Sequence, residues 1–321
     1  MRREHMQLKR LLIILAVFVG VLVVAIMGMY KSWNAFTSGG IFGMLSSKGS
    51  YKMVDGTSET VILDHKAERI VAVGPNAADL VSELAGDSVV ASTAAPYQTS
   101  NGVKQRVAPD VKAIEALKPD IVIVEDDNGA TELVRPLREA GVKVALLRAP
   151  KTVKEVEDQT KAVGQLLGRE DKAATLVGTM MNYIRDTESL RFARRDEPKK
   201  TVAVYNENGL YGAPDTLIQD MLKYVNVDNA ATLVGIKRSY MGKKEDLIKA
   251  NPDVIIVPMD IKGADFNRDA VLNSYYNDPA LANLKAIKNK KVVILANESI
   301  LAKTYHIGRG IYFMAQMVYE R

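Results

Sequence analysis

The 321-residue sequence has no cysteine, one tryptophan and only three histidines. Without cysteine there is no disulfide, no thiolate zinc site, no cysteine nucleophile and no cysteine-linked lipid anchor. This absence is compatible with either redox compartment. His5 lies in the basic N-terminal tail, so His65 and His306 remain, too few for a multi-histidine metal site. Enzyme signatures are missing too: there is no P-loop, no G-x-S-x-G, no H-E-x-x-H and no G-x-G-x-x-G. Asp126 and Asp127 are adjacent carboxylates, but loop acids are more often solvated than catalytic. No catalytic constellation assembles, so the expectation is a protein that is not an enzyme, with no cofactor and no directly bound metal. Lys and Arg number 43 against 38 Asp and Glu, a net charge of +5, with no dense basic stripe interleaved with aromatics. Nucleic acid is therefore not an expected partner.

What is present is an ordinary globular composition, 47% hydrophobic and 25% charged, with room for two domains. One long apolar run stands apart. Arg2, Arg3, Lys9 and Arg10 precede residues 11–30, which are apolar throughout. About 20 such residues span the hydrocarbon core as a helix. The basic flank favours the cytoplasm, which puts the rest of the chain outside. Ala25-Ile26-Met27-Gly28-Met29 is a poor cleavage site, so an uncleaved signal anchor is expected, a cleaved signal peptide being the alternative.

The remainder is organised by a stretch that occurs twice. Ala113-Ile114-Glu115-Ala116-Leu117-Lys118-Pro119-Asp120-Ile121-Val122-Ile123-Val124 is echoed by Asp246-Leu247-Ile248-Lys249-Ala250-Asn251-Pro252-Asp253-Val254-Ile255-Ile256-Val257. Each is a short amphipathic helix stopped by proline, followed by a β-branched run without polar alternation. Such a run reads as a parallel strand buried on both faces. Strands also precede and follow each copy, around 69–74 and 143–147, then 201–206 and 291–295. Strands alternating with helices imply βαβ units and one parallel sheet per lobe. Between them, Val156, Thr160, Val163 and Leu167 mark one helix that ends at Gly168, and a second follows to about 192.

The expected fold is α/β: two lobes with parallel-type sheets flanked by helices, joined by one long helix and preceded by a transmembrane helix. The boundaries are a cytoplasmic tail 1–10, an anchor 11–30, a linker 31–58, an N-terminal lobe 59–152, a helical connector 153–198 and a C-terminal lobe 199–321. Ligands bind beyond the carboxyl ends of strands in open α/β sheets. The loops expected there are 74–76, 92–101 and 125–129 in the first lobe, and 206–215, 235–244, 258–268 and 297–307 in the second. They offer Asn76, Tyr97 and Asp126 from one side, and Asn208, Tyr211, Arg238, Tyr240, Tyr305 and His306 from the other. Tyrosine and arginine give large contact area with directed hydrogen bonds.

This order of elements resembles the extracytoplasmic substrate-binding proteins of ABC importers, in the branch that binds ferric siderophores, haem or cobalamin. The carrying stretches are 79–87, 114–124, 217–229, 245–257 and 278–292, so the resemblance covers 69 to the C-terminus. It implies capture of a metal chelate between the lobes by a monomer held at the cell membrane, with the binding domain extracytoplasmic. It implies an ABC permease and its ATPase as partners. An anionic siderophore would suit Arg238 and the nearby lysines. Haem would want an axial side chain, His306 or Tyr305. The family shows a glutamate in each lobe that docks on permease arginines. Glu245 matches in the second lobe, whereas the matching position in the first is Lys112, a reversed charge. A sensory or scaffold protein of the same fold, without a permease, is the alternative.

Overall fold

The computed structural model describes residues 51–95, 103, 105–126, 129–237, 241–263 and 265–319. The apolar run at 11–30 lies outside them. No helix among the described residues is long and apolar enough to cross a membrane.

The chain enters through an antiparallel hairpin, β1 (Tyr51–Val54) with β2 (Thr60–Leu63), Tyr51 standing opposite Leu63. Residues 51–58 are therefore not linker, as the sequence had suggested, but strand and turn. The cause is Asp55. Its carboxylate accepts from Thr57 N at 2.8 Å and Thr57 Oγ1 at 2.6 Å, closing the turn. It also accepts from Leu146 N at 3.0 Å and Arg138 Nη2 at 2.6 Å, which ties the hairpin to the sheet behind it.

The first sheet is built from β3 (Ile70–Val73), α1 (Pro75–Ala85), β4 (Val89–Ser92), α2 (Val111–Glu115), β5 (Ile121–Glu125), α3 (Val134–Glu139) and β6 (Val144–Leu147). Its order is β4-β3-β5-β6 and all pairings are parallel. Every residue of β3, β5 and β6 is buried, because helices cover both faces. Side chains alternate between those faces. Ile70, Ala72, Ile121 and Ile123 meet Leu80 and Leu84 of α1. Val71, Val73, Val122 and Val124 meet Ile114 and Leu137 on the other side.

Two helices follow. Thr152 caps α4 (Val153–Leu167) by accepting from Glu155 N, and Gly168 in the left-handed region (φ 63°) ends it. Then α5 (Glu170–Ala193) runs from one sheet to the other. Its Met180 and Ile184 belong to the core of the second sheet, while Ala173 belongs to that of the first.

The second sheet comprises β7 (Thr201–Asn206), β8 (Gly209–Tyr211), α6 (Leu217–Val225), β9 (Asp228–Asn229), α7 (Ala230–Leu233), α8 (Lys244–Ala250), β10 (Val254–Met259), α9 (Arg268–Tyr276), α10 (Lys285–Lys288), β11 (Val292–Ala296), α11 (Asn297–Ile300) and α12 (Ile307–Tyr319). The order is β11-β10-β7-β8, with β9 also on β7, and all pairings are parallel except β7 with β8. The segment 206–215, expected as an edge loop, folds back as β8. Asn206 makes that turn, its Oδ1 accepting from Asn208 N at 2.9 Å. Each sheet with its covering helices makes one lobe of an α/β architecture.

The repeated stretch plays the same part in both lobes. Asp120 N donates to Arg69 O, and its carboxylate accepts from Arg69 N at 2.9 Å. Asp253 N donates to Thr201 O, and its carboxylate accepts from Thr201 N at 2.8 Å. Each aspartate thus clips the start of its strand to the neighbouring one. The residue before each proline turns left-handed, Lys118 at φ 49° and Asn251 at φ 45°.

Candidate ligand cleft

The two sheets present carboxyl ends to one another. Asn76, in the first turn of α1 just after β3, accepts at Oδ1 from Lys303 N at 2.8 Å. Lys303 follows β11 and α11 in the second lobe. The floor of the cleft is lined by Asn76, Glu125, Asp126, Arg148, Lys303 and Thr304. It encloses only about 10 Å³ of free space, the size of one water. Two of the expected ligand residues, Asn76 and Asp126, thus share this floor.

Glu125 shapes the floor and was not singled out from the sequence. It is the last residue of β5, and it is 5% exposed. Its Oε2 accepts from Asn76 N at 2.6 Å and Ala77 N at 3.0 Å. A helix N-terminus after a parallel strand is a ready anion site. Here the protein fills it with its own carboxylate. Gly74 makes room: its φ is 100°, and a Cβ there would stand 2.2 Å from Glu125 Cδ. The sequence signal was an acid closing the run Ile121-Val122-Ile123-Val124, ahead of the loop acids Asp126 and Asp127.

The opposite edge is polar as well. Asn206 Nδ2 donates to Pro258 O at 3.2 Å, and Asn206 Oδ1 accepts from Tyr211 OH at 3.2 Å. Tyr211 is half-buried and engaged there, while Asn208 is exposed at the tip of the β7–β8 hairpin. Neither joins the floor. Glu298, 5% exposed in α11, pairs with Lys262 at 2.9 Å.

Tyr305 and His306 were expected on an open loop. They lie instead packed between the lobes, 9% and 7% exposed, with ring centroids 4.1 Å apart. Burial, with the Glu83 and Asp79 carboxylates nearby, pushes the Tyr305 phenol well above its ordinary range. His306 Nε2 is 3.2 Å from Asp79 Oδ2, an ion-pair distance without the alignment of a hydrogen bond. Tyr97, Arg238 and Tyr240 lie outside the described residues. Glu245, in the first turn of α8, and Lys112, in α2, are both exposed. Among the described residues no cluster of three or more His, Asp or Glu could hold a metal ion.

Two sheets bridged by α5, with a polar cleft lined from both lobes, form a two-lobed α/β architecture, and the family match makes it that of a solute-binding protein rather than an enzyme. The chain belongs to the periplasmic binding protein family, whose model matches residues 69–298. It is 22% identical over 277 residues to the ABC transporter substrate-binding lipoprotein YvrC of Bacillus subtilis, covering 83% of this chain and 84% of that one. It is 26% identical over 227 residues to a cobalamin-binding protein of Halobacterium salinarum, covering 68% of this chain and 61% of that protein's length. Among solved structures, the haem-binding protein RhuT of Roseiflexus superposes with a TM-score of 0.66 at 22% identity, covering 79% of this chain and 98% of that one. The haem-binding protein HmuT gives 0.63 at 16% identity, over 85% and 91%.

Proposed function

We propose that this protein is the substrate-binding component of an ABC importer that captures a metal chelate: a ferric siderophore, haem or cobalamin. The observation that carries this reading is the family match across both sheets, joined to a cleft formed where their carboxyl edges face each other. Segments 59–152 and 199–321 act as the gripping lobes and 153–198 as the connector. A water-sized floor supports a ligand seated above it rather than within it, and Tyr97, Arg238 and Tyr240 remain its expected contributors. Burial of Tyr305 and His306 argues against an axial ligand drawn from that pair. Calorimetric titration with cyanocobalamin, haemin and a ferric hydroxamate tests the proposal. Saturable one-to-one binding of one of them is expected, and no binding of any would sink it.

The apolar run 11–30 serves as an uncleaved anchor in this reading, holding the binding domain outside the cell beside a permease and its ATPase. A spanning helix tethers far more firmly than a lipid. N-terminal sequencing of the mature protein decides: a start beyond Met29 ends the anchor idea. Lys112 at a docking corner favours a second reading, a sensory or scaffold protein of this fold that serves no permease.

A further inference from the structure

The end of the second sheet opposite the cleft gathers positive charge. Segments 191–200 and 285–291 hold nine lysines and arginines against two acids, Asp196 and Glu197. That is a local charge of +7 in a chain whose net charge is +5. Far apart in sequence, the segments meet along an open groove of about 820 Å³ whose lining includes Arg194, Lys199, Lys200, Asn289 and Lys291. Lys200 directly precedes β7, Asp253 precedes β10 and Lys291 precedes β11, so the groove lies under the amino ends of three strands. The charge is only partly answered. Arg194 pairs with Glu197 at 2.8 Å, Arg195 with Asp196 at 3.8 Å and Lys285 with Asp253 at 3.6 Å. Lys199, Lys288, Lys290 and Lys291 meet no carboxylate among the described residues. Beside them stands Phe192, in the last turn of α5, 66% exposed, with the Arg195 guanidinium 4.5 Å from its ring centre. It is the one exposed phenylalanine among the described residues.

A small anion is held by buried donors that converge on it. Here the donors are long, exposed and spread along a groove, which suits an extended anionic surface. Nucleic acid readers interleave several aromatics with their cations, and this face has one. A phospholipid surface fits both features: lysines attract its phosphates, and a protruding aromatic ring with aliphatic stems settles at the boundary of headgroup and acyl chain. The apolar run 11–30 brings a bilayer close. Twenty residues, 31–50, separate it from β1, and fully extended they reach about 70 Å at most. Tethering raises the effective concentration of the surface, so a weak attraction is enough. We propose, on the anchored reading of 11–30 above, that the base of the second lobe binds the anionic phospholipid surface of the same bilayer through Lys199, Lys288, Lys290, Lys291 and Phe192. The cleft lies at the other end of the same strands. A lobe bound this way turns its cleft away from the bilayer, towards arriving solute, and lifts off before a permease in that bilayer receives the cleft.

The chain has no cysteine, so one introduced cysteine carries one fluorophore. Full-length protein is labelled at Asn289→Cys beside the groove or at Asn208→Cys on the β7–β8 hairpin, both exposed, and mixed with vesicles bearing an acceptor on the lipid headgroup. In phosphatidylcholine with about 30 mol% phosphatidylglycerol, energy transfer from position 289 exceeds that from position 208. The excess is lost in phosphatidylcholine alone, and in about 0.5 M salt, which screens exposed charge. It is also lost in the triple variant Lys288→Glu, Lys290→Glu, Lys291→Glu. It is kept in Lys118→Glu, Arg135→Glu, Lys161→Glu, an equal change of charge at exposed positions elsewhere. Equal transfer from the two labels in anionic vesicles, or an excess that survives the triple reversal at 288–291, overturns the proposal. Flotation with phosphatidylcholine vesicles reads the anchor by itself. A chain that floats there yet transfers equally keeps the anchor and loses the patch. A chain that binds only anionic vesicles, with the excess at 289, keeps the patch and loses the anchor.

Discussion

The Glu125 carboxylate accepts the backbone N–H of Asn76 at 2.6 Å, and so the first lobe plugs its own helix N-terminus. The bond joins the end of β5 to the start of α1, two segments some fifty residues apart in sequence. It places negative charge where the helix dipole favours it. It also denies that position to an anionic group of any ligand.

Removing this plug leaves two donors without their acceptor. Glu125→Ala should cost about 2–3 kcal/mol in urea unfolding, since the bonds are to a charged group. Gly74→Ala should also destabilise, because its φ of 100° and ψ of 159° belong almost to glycine alone and the new Cβ meets Glu125. The steric part of that cost vanishes in the double variant, so the two losses should add to less than their sum. Strict additivity would show that Gly74 is needed for its backbone alone.

The Asp55 turn makes a pH-dependent contribution. Burial of this carboxyl favours its neutral form, but hydrogen bonds from Leu146 N and Thr57, with the Arg138 guanidinium, outweigh burial and hold its pKa below the ordinary carboxylate value. A folded-state pKa below the unfolded one stabilises above the unfolded value, about 3.9, and the gain is lost as pH falls through the folded value. The stability difference between the native protein and Asp55→Asn should therefore be constant from about pH 5 to 7 and shrink below about pH 4. Denaturant titrations at those pH values measure it. A difference that grows towards acid would refute the assignment.

The two sheets were legible because one inner strand of each, β5 and β10, is a β-branched run preceded by Pro-Asp, a pattern local to twelve residues. The connector was legible from helical spacing and from Gly168. What escaped was non-local. The Asp55 turn looked like linker because its partners, Arg138 and Leu146, lie more than eighty residues away. Strand β8 is three residues long, too short to announce itself by alternation. In the cleft, Asn76 and Asp126 were singled out because they lie in the segments just beyond β3 and β5, and both line the same small cavity. Glu125 was missed because a strand-ending acid looks like the first residue of a solvated loop. Tyr305 and His306 were placed at the correct end of the sheet, but only the packing of α1 against them shows that they are buried.

Single alanine substitutions at Tyr97, Arg238 and Tyr240 should each weaken binding of the true chelate by about 1–3 kcal/mol, as contact anchors do. Titration calorimetry with the chelate identified by the screen reads the effect. Unchanged affinity in all three, with unfolding curves intact, would put the site elsewhere.

Docking is the last expectation, and it turns on Glu245 and Lys112. Each precedes its Pro-Asp by the same two helical turns, and each is exposed, on α8 and α2. The clips made by Asp120 and Asp253 give the two corners the same local build. Charge at such corners does little for the fold, since exposed pairs contribute only about 0–1 kcal/mol. Against a partner surface, complementary charge sets approach rate and register, and like charge repels. A permease serving this protein should carry a basic residue facing Glu245 and an acidic or neutral one facing Lys112. Glu245→Lys should then reduce uptake in cells while chelate affinity in solution stays unchanged. A clear gain in uptake on Lys112→Glu would show that the lysine is a handicap to docking. Normal uptake with Glu245→Lys would remove the electrostatic corner from the mechanism and move the sensory or scaffold reading ahead.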